Sequence, residues 1–416
     1  MPRRVRLVVC SGSGRVLGAL PPVSVTSPWW PDVEPVVRVT RERFGMDVTV
    51  LRLLAATNGS DVMGGHVTYL AELDASEDPN PRTLEVARPN EAEAAREEHA
   101  LRAPWARAGG VAATVAWADE ELEAQGRRRT GPAVQIKSWN LSSVLRLPTS
   151  TGNVWSKSVP PFMSHEGAIL QMVAGHDPSL VPRVLAYRRA TGTALLEDVP
   201  GKDRFEASEE ELLHMIRTLV RLQARWAERV EQLLFAGLPD WRAQSLAELV
   251  RALLQRPTVR ENVGARELAA LDALAADLAR RFAALHACGL PETLVHGDFH
   301  PGNWRSDGDG LVLLDWGDSG VGHPMLDLSA CLPRIPDKAR PSVLEAWLGA
   351  WLSERPLSDP AAASELIEPI AALRQAVIYQ RFLDGIEPSE RPYHEADVPL
   401  WLRRAASAFR RPAPRM

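Results

Sequence analysis

Five side chains between Leu294 and Ala330 could act together as oxygen chemistry: His296, Asp298, Asn303, Asp315 and Asp327. Thr293 to Val295 reads as a brief strand entering a loop, and Leu311 to Leu314 as a second apolar strand that delivers Asp315 at its end. Pro301, Gly302, Gly308 and Gly310 make the connection a run of turns. Carboxylate and amide oxygens on turns at strand ends suit a hard cation such as Mg²⁺, which takes a few protein oxygens and fills its shell with phosphate oxygens and water. Asp298, just ahead of those oxygens, is placed to accept or orient a hydroxyl proton. Two acidic loops of accidental spacing would be the alternative, but several spaced elements agree at once.

The stretch resembles the phosphotransferase family of aminoglycoside kinases, choline kinases and their protein-kinase-like relatives. The family's catalytic loop, H-G-D-x-x-x-x-N, is matched by His296-Gly297-Asp298 and Asn303, and its metal segment, an Asp after a short apolar strand, by Asp315-Trp316-Gly317. The resemblance implies a bilobal, protein-kinase-like α+β fold with a β-rich amino-terminal lobe and a mainly helical carboxy-terminal lobe. It implies ATP between the lobes, Mg²⁺ held by Asn303 and Asp315, and Asp298 orienting an acceptor hydroxyl for in-line attack. His296 is expected to pack beneath the loop and Asp327 to accept its backbone N–H bonds, both as structural support. Asp318 is a candidate for a second metal, and His300 and His323 read as turn or packing residues.

Such lobes need a strand lysine on the α- and β-phosphates, held by a helix glutamate. Lys157, on the run Asn153 to Val159, and Glu166, on a helix from Ser164 to Ala174, fit in order and spacing. A surface ion pair worth at most about 1 kcal/mol is the alternative. Only Lys137, Lys157, Lys202 and Lys338 are lysines among the 48 Lys and Arg residues, so a lysine at a key place is informative. Where protein kinases carry G-x-G-x-x-G, this chain has Asn140-Leu141-Ser142-Ser143; Ser142 and Ser143 either cover the phosphates or form an ordinary turn. Backbone groups from Glu197 to Val199 would meet adenine. The segment Asp384 to Pro399 stands where the family binds its acceptor. Asp384, Glu387, Glu390, His394, Glu395 and Asp397 there form either an anionic wall for a cationic acceptor or a solvated acidic loop.

At 416 residues the chain suggests two or three domains, and 45% hydrophobic residues suffice for substantial cores. A net charge of -5 argues against general nucleic-acid binding. Cys10, Cys288 and Cys331 show neither a disulfide framework nor zinc spacing, which fits a reducing cytoplasm. The amino-terminal apolar run is too short for a signal peptide and none reaches membrane-spanning length, so no membrane partner is expected.

The elements that must position these groups follow. Residues 4 to 20 read as a β-hairpin, Glu34 to Phe44 as a helix stopped by Gly45, and Val48 to Leu54 and His66 to Leu73 as strands. This module resembles a Nudix-type domain, with a generic α+β module as the alternative. Anchored on Gly45, it keeps Arg38 and Glu42 of the Nudix box. Val39 and Arg43 replace carboxylates that hydrolase chemistry requires, so none is expected. Residues 74 to 100 read as an acidic boundary followed by an exposed helix. Helices are expected at Glu209 to Leu234, Ser245 to Leu254, Arg266 to His286, Pro341 to Leu352 and Ser364 to Asp384. The expected domains are 1–100 for the Nudix-like module, 101–200 for the nucleotide lobe and 201–416 for the helical lobe. The resemblance implies transfer of the ATP γ-phosphate to a small, cationic, polyhydroxylated acceptor such as an amino sugar or aminoglycoside. A nucleotide-binding pseudoenzyme or sensor, a Nudix hydrolase, and a kinase of a neutral sugar or choline-like metabolite are the other readings.

Overall fold

The computed structural model describes residues 3–59, 62–74, 83–308 and 310–411. Residues 75–82 of the expected acidic boundary, and the end of the carboxy-terminal tail, lie outside the described residues. The chain is α+β, strand-rich in its amino-terminal part and helical in its carboxy-terminal part. It divides into two compact units. Met1–Gly167, Val184–Asp198 and Phe382–Glu395 form the first; Ala168–Arg183, Val199–Arg381 and Ala396–Met416 form the second. The Nudix-like module and the nucleotide strands, expected as separate domains, therefore share one unit.

The first unit holds two sheets. β1 (Arg3–Cys10), β2 (Val16–Ala19), β3 (Val23–Val25), β4 (Val48–Thr57) and β5 (His66–Leu73) make one, in the order β2-β1-β5-β4 with β3 also on β1. β1 and β5 run parallel, and β1 is buried at seven of its eight positions, as a strand covered on both faces should be. Helix Glu34–Phe44 packs on this sheet and stops where Gly45 turns left-handed at φ 66°. β6 (Val134–Trp139), β7 (Ser142–Thr149), β8 (Gly152–Ser158), β9 (Val184–Arg188) and β10 (Thr193–Glu197) make the second sheet, antiparallel in the order β6-β7-β8-β10-β9.

A side chain joins the two sheets. The Gln135 amide accepts from Val50 N–H at 2.9 Å and donates to Val50 C=O at 2.8 Å, standing in for a missing strand neighbour. Val33 N–H bonds Ile136 C=O and Ser138 N–H bonds Pro31 C=O. Each bond satisfies a backbone group that would otherwise be buried unpaired. This is why no boundary falls near residue 100.

The second unit is built on helices Glu209–Trp226, Ala243–Leu254, Ala265–Ala287, Arg340–Glu354 and Asp397–Arg410, with most of Pro360–Gly385. Glu209–Trp226 opens on a capping box between Ser208 and Glu211 and buries Leu212, Ile216, Leu219 and Val220 along one face. The single helix expected from Glu209 to Leu234 is interrupted after Trp226 and resumes as Val230–Phe235. Five short strands complete the unit: β11 (Lys202–Asp203), β12 (Thr293–Val295), β13 (Trp304–Ser306), β14 (Val312–Leu313) and β15 (Gly320–Gly322), paired as β11-β13-β14 and β12-β15.

Candidate active site

β12 and β15 pair antiparallel, with Thr293 opposite Gly322 and Val295 opposite Gly320, and this ribbon delivers the loop that begins at His296. The loop hangs from one buried carboxylate. His296 N–H donates to Asp327 Oδ2 at 2.8 Å, Gly297 N–H to Oδ1 at 2.7 Å and Gln223 Nε2 to Oδ2 at 2.9 Å. Burial pushes the Asp327 carboxyl up to about 6, with the Gly297 and His296 amides pulling the other way. Gly297 sits at φ 90°, and a Cβ there would lie 2.1 Å from the Asp318 carbonyl oxygen, so the position admits only glycine.

His296 is fully buried, its Nε2 3.0 Å from the Leu314 carbonyl and its Nδ1 accepting Asp298 N–H at 3.4 Å. Burial pushes the imidazole down to about 4, so at neutral pH it is an uncharged packing group against Trp316. Asp298 is surrounded by donors. Asn303 Nδ2 donates to its carbonyl at 2.8 Å and to Oδ2 at 3.2 Å, His300 Nε2 stands 3.5 Å from Oδ2, and Arg334 donates to Oδ1. Burial opposes ionisation, but the His300 hydrogen bond and the Arg334 charge overcome it and hold the carboxyl well below the usual carboxylate range. His300 Nδ1 accepts Gly302 N–H, and His323 Nδ1 accepts Met325 N–H, so both serve as turn residues.

Asn303 closes the turn Pro301–Asn303, and its carbonyl accepts Leu314 N–H at 2.8 Å, tying it to the residue before Asp315. Asp315 is exposed and left-handed, at φ 62° and ψ 64°. Non-glycine residues rarely adopt this conformation, and it concentrates at functional positions. With the Asn303 amide nitrogen committed to Asp298, its oxygen is the atom left to ligate. Among the described residues no three His, Cys, Asp or Glu side chains form a metal cage. One amide oxygen and one carboxylate still fit Mg²⁺, which binds through few protein ligands when phosphates supply the rest.

In the first unit, Lys157 on β8 donates to Glu166 Oε1 at 2.6 Å. The side chains are only 16% and 7% exposed, so this is not a solvated surface pair. Glu197 takes Arg127 at 2.8 Å, and Asp198 accepts from the Trp155 indole. In the second unit the Val199 carbonyl accepts from Arg305 Nε.

Ser142 and Ser143 are strand residues: a two-residue turn, Asn140-Leu141, closes the β6–β7 hairpin and leaves both serines on β7 opposite Trp139 and Ser138. Both are buried, and Ser142 Oγ accepts from Trp139 Nε1. The two serines thus sit on the strand beside a tight hairpin turn, with the Ser142 hydroxyl engaged by the Trp139 indole.

The acidic segment near the carboxy terminus is largely folded inward. Phe382–Glu395 belongs to the first unit. Glu387 is 4% exposed and is held by Arg102 Nε at 3.1 Å and Nη2 at 2.9 Å, with Arg52 Nη1 at 3.8 Å. Glu390 accepts Leu53 N–H at 2.7 Å, and its carbonyl accepts from Asn140 Nδ2. His394 Nε2 lies 3.0 Å from Asn140 Oδ1. So buried and so paired, Glu387, Glu390 and His394 help hold this unit together and do not form the exposed acidic wall or solvated loop that the sequence suggested. Asp384 and Glu395 are exposed, and Asp397 is half-buried at the start of helix Asp397–Arg410.

Different stability effects follow for the two glutamates. Glu387→Gln leaves two buried guanidinium groups without their main counter-charge and should destabilise the protein by about 3 kcal/mol. Burial pushes the Glu390 carboxyl up to about 8, against the pull of Leu53 N–H. The folded state thus keeps a proton that the unfolded chain releases near pH 4.3, roughly the ordinary glutamate value. The stabilisation is complete below that value and is lost as pH rises through about 8. Glu390→Gln should flatten this slope. Denaturant midpoints at several pH values check both, and a neutral Glu387→Gln or an unchanged slope in Glu390→Gln would contradict them.

Two arginines that shape the site carried no signal in the sequence. Arg374, 2% exposed, donates to the Asp318 carbonyl at 3.1 Å and the Gly297 carbonyl at 3.5 Å while lying over the Trp241 ring. It ties the catalytic loop to the turn after Asp315. Arg334 is the ion partner of Asp298. Both sit in helical or turn stretches of an arginine-rich chain, where nothing in their spacing marks them.

A profile of the phosphotransferase enzyme family matches residues 134–366; the strands and helix before that span, which the sequence likened to a Nudix-type domain, lie outside the match and gain no support from it. No curated protein matches the chain. Among solved structures it is similar to the apoenzyme of the macrolide 2'-phosphotransferase MphH from Brachybacterium faecium, at 18% identity over 71% of this chain and 100% of that one, with a TM-score of 0.47. It is similar to an ethanolamine kinase of Plasmodium vivax, at 10% identity over 67% and 82%, TM-score 0.49. It is also similar to the APH(2")-IIa chain of a streptomycin–ATP ternary complex, at 13% identity over 72% and 98%, TM-score 0.46.

Proposed function

Because the chain belongs to the phosphotransferase enzyme family, we propose that it transfers the γ-phosphate of ATP to a hydroxyl of a small polyhydroxylated molecule. The observation that carries this reading is the Asp298–Asn303 pair on a loop anchored by buried Asp327. Asp298 orients the acceptor hydroxyl and takes its proton. Asn303 and Asp315 hold Mg²⁺, which when bound neutralises phosphate charge. Lys157, oriented by Glu166, binds the α- and β-phosphates, and backbone groups from Glu197 to Val199 meet adenine. Positioning and charge neutralisation are most of what phosphoryl transfer requires.

In the segment Asp384 to Asp397, Glu387 and Glu390 are paired inside the fold, which leaves Asp384, Glu395 and Asp397 as the acids open to an acceptor. Among the described residues no helix is long and apolar enough to cross a membrane, and the three cysteines are free and buried. We assign the enzyme to the cytosol, where thiols stay reduced.

The test is incubation with Mg·ATP and a library of hydroxylated small molecules, read by ADP release and by mass gain of the acceptor. Mass gain on a defined hydroxyl is expected. Nucleotide binding with no acceptor modified across the library would favour the pseudoenzyme reading instead. Lys157→Met should weaken Mg·ATP binding by roughly tenfold to a hundredfold, the worth of about 1.5–3 kcal/mol for a hydrogen bond to a charged group. Titration calorimetry checks it, and unchanged affinity would remove Lys157 from the nucleotide site.

A further inference from the structure

We infer that Arg334 selects the acceptor, and that the favoured acceptor carries a carboxylate or phosphate beside the hydroxyl that reacts. The inference rests on the phosphotransfer reading above. Its starting point is how the two oxygens of Asp298 are occupied. Oδ2 accepts from Asn303 and faces His300, both on the same tight loop. Oδ1 is taken by Arg334, whose side chain is 42% exposed and comes from the turn after helix Met325–Cys331. An acceptor hydroxyl approaching this carboxylate meets one oxygen fixed by the loop and one held by a side chain free to rotate toward solvent. Oδ1 is therefore the oxygen that receives the hydroxyl, and the displaced guanidinium stays within a side-chain length of the bound molecule.

The segment that carries Arg334 is cationic, while Asp298 pairs with its guanidinium and Asp318 lies within its electrostatic reach. Between residues 332 and 340 the charges are Arg334, Lys338 and Arg340 against Asp337 alone. Arg340 pairs with Asp337 at 2.9 Å and donates to the Leu332 carbonyl, which leaves the exposed Lys338 and Arg334, whose counter-charge is Asp298 itself. An ammonium brought to Asp298 would stand beside a guanidinium, and like charges placed together discriminate strongly against a ligand. A carboxylate or phosphate would instead take the planar fork in two charge-assisted bonds. The step balances. The acceptor oxygen forms its bond to the γ-phosphorus as the bond to the β,γ-bridging oxygen breaks. ADP leaves with that electron pair, and the hydroxyl proton passes to Asp298.

Size-matched sets of hydroxylated compounds, each comprising an acid, a phosphate ester, a neutral member and an amine, are compared by kcat/KM on the full chain. The anionic members should exceed the amine by about tenfold or more, the scale of one charge-assisted contact. Arg334→Gln should bring the anion-to-neutral ratio toward one, and Arg334→Lys should keep the order of preference. Unchanged Mg·ATP affinity in both variants reports an intact fold. An amine turned over best, or a ratio unmoved by Arg334→Gln, overturns the inference and leaves the phosphotransferase reading standing. Turnover of no member in any set would bring down that reading and the inference with it.

Discussion

Asp298→Asn is expected to lower kcat for transfer by about a thousandfold or more while Mg·ATP binding persists, in line with the hundredfold to ten-thousandfold worth of a positioned proton acceptor. The substitution keeps size and hydrogen-bonding shape. An amide oxygen can still accept from Asn303 Nδ2, whose second bond goes to the Asp298 backbone carbonyl and does not depend on the side chain. The loop itself is suspended from Asp327 and braced by Arg374, neither of which contacts the altered group. What disappears is the anionic oxygen that Arg334 now holds and that the acceptor hydroxyl would use. Nucleotide affinity by calorimetry and transfer by single-turnover mass analysis separate binding from chemistry. Transfer within about tenfold of the parent would remove Asp298 from its role as proton acceptor.

The placement of the candidate site was legible because it is local in sequence. His296, Asp298, Asn303, Asp315 and Asp327 sit on short elements whose spacing turns and apolar runs reveal, and the expected strand at Thr293 to Val295 is β12 residue for residue. Lys157 and Glu166 were legible for the same reason, lying nine residues apart on a strand and the helix after it. The helix Glu34–Phe44 was legible from its glycine stop.

What escaped was set by pairing across the chain. Glu387 and Arg102 meet over 285 residues, and no pattern within a window shows that an acidic run will be buried against arginines from far upstream. Charge density alone reads as a solvated or ligand-facing surface. Arg334 and Arg374 escaped likewise, since each acts through one contact that depends on the tertiary fold. The joining of the amino-terminal module to the nucleotide sheet turns on the Gln135 amide, a side chain doing what strand neighbours ordinarily do. β13 (Trp304–Ser306) and β15 (Gly320–Gly322) carry neither a periodicity nor an apolar run that would mark them as strands.

Asp315 offers the sharpest separation of stability from function. Its left-handed backbone, φ 62° and ψ 64°, is one that glycine adopts freely and other residues adopt at a penalty. The backbone part of Asp315→Gly should therefore be neutral or favourable by up to about 1 kcal/mol, the left-handed penalty less the greater freedom glycine has in the unfolded chain, so any loss of stability reports the side chain's own contacts. The same change should weaken Mg²⁺-dependent ATP binding by about a hundredfold or more, because it removes the carboxylate from a site with few protein ligands. Asp315→Asn, which tolerates the same conformation, should keep the fold and share the loss, isolating the charge from the backbone. Denaturant midpoints and calorimetry with and without Mg²⁺ read the two effects apart. Unchanged Mg·ATP affinity in Asp315→Gly would show that the carboxylate does not ligate the metal. A large fall in its stability would show that Asp315 holds the turn through its side chain. Loss of Mg²⁺-dependent binding without loss of the fold in both variants is what a residue kept for its charge should show, at a position where the backbone alone would favour glycine.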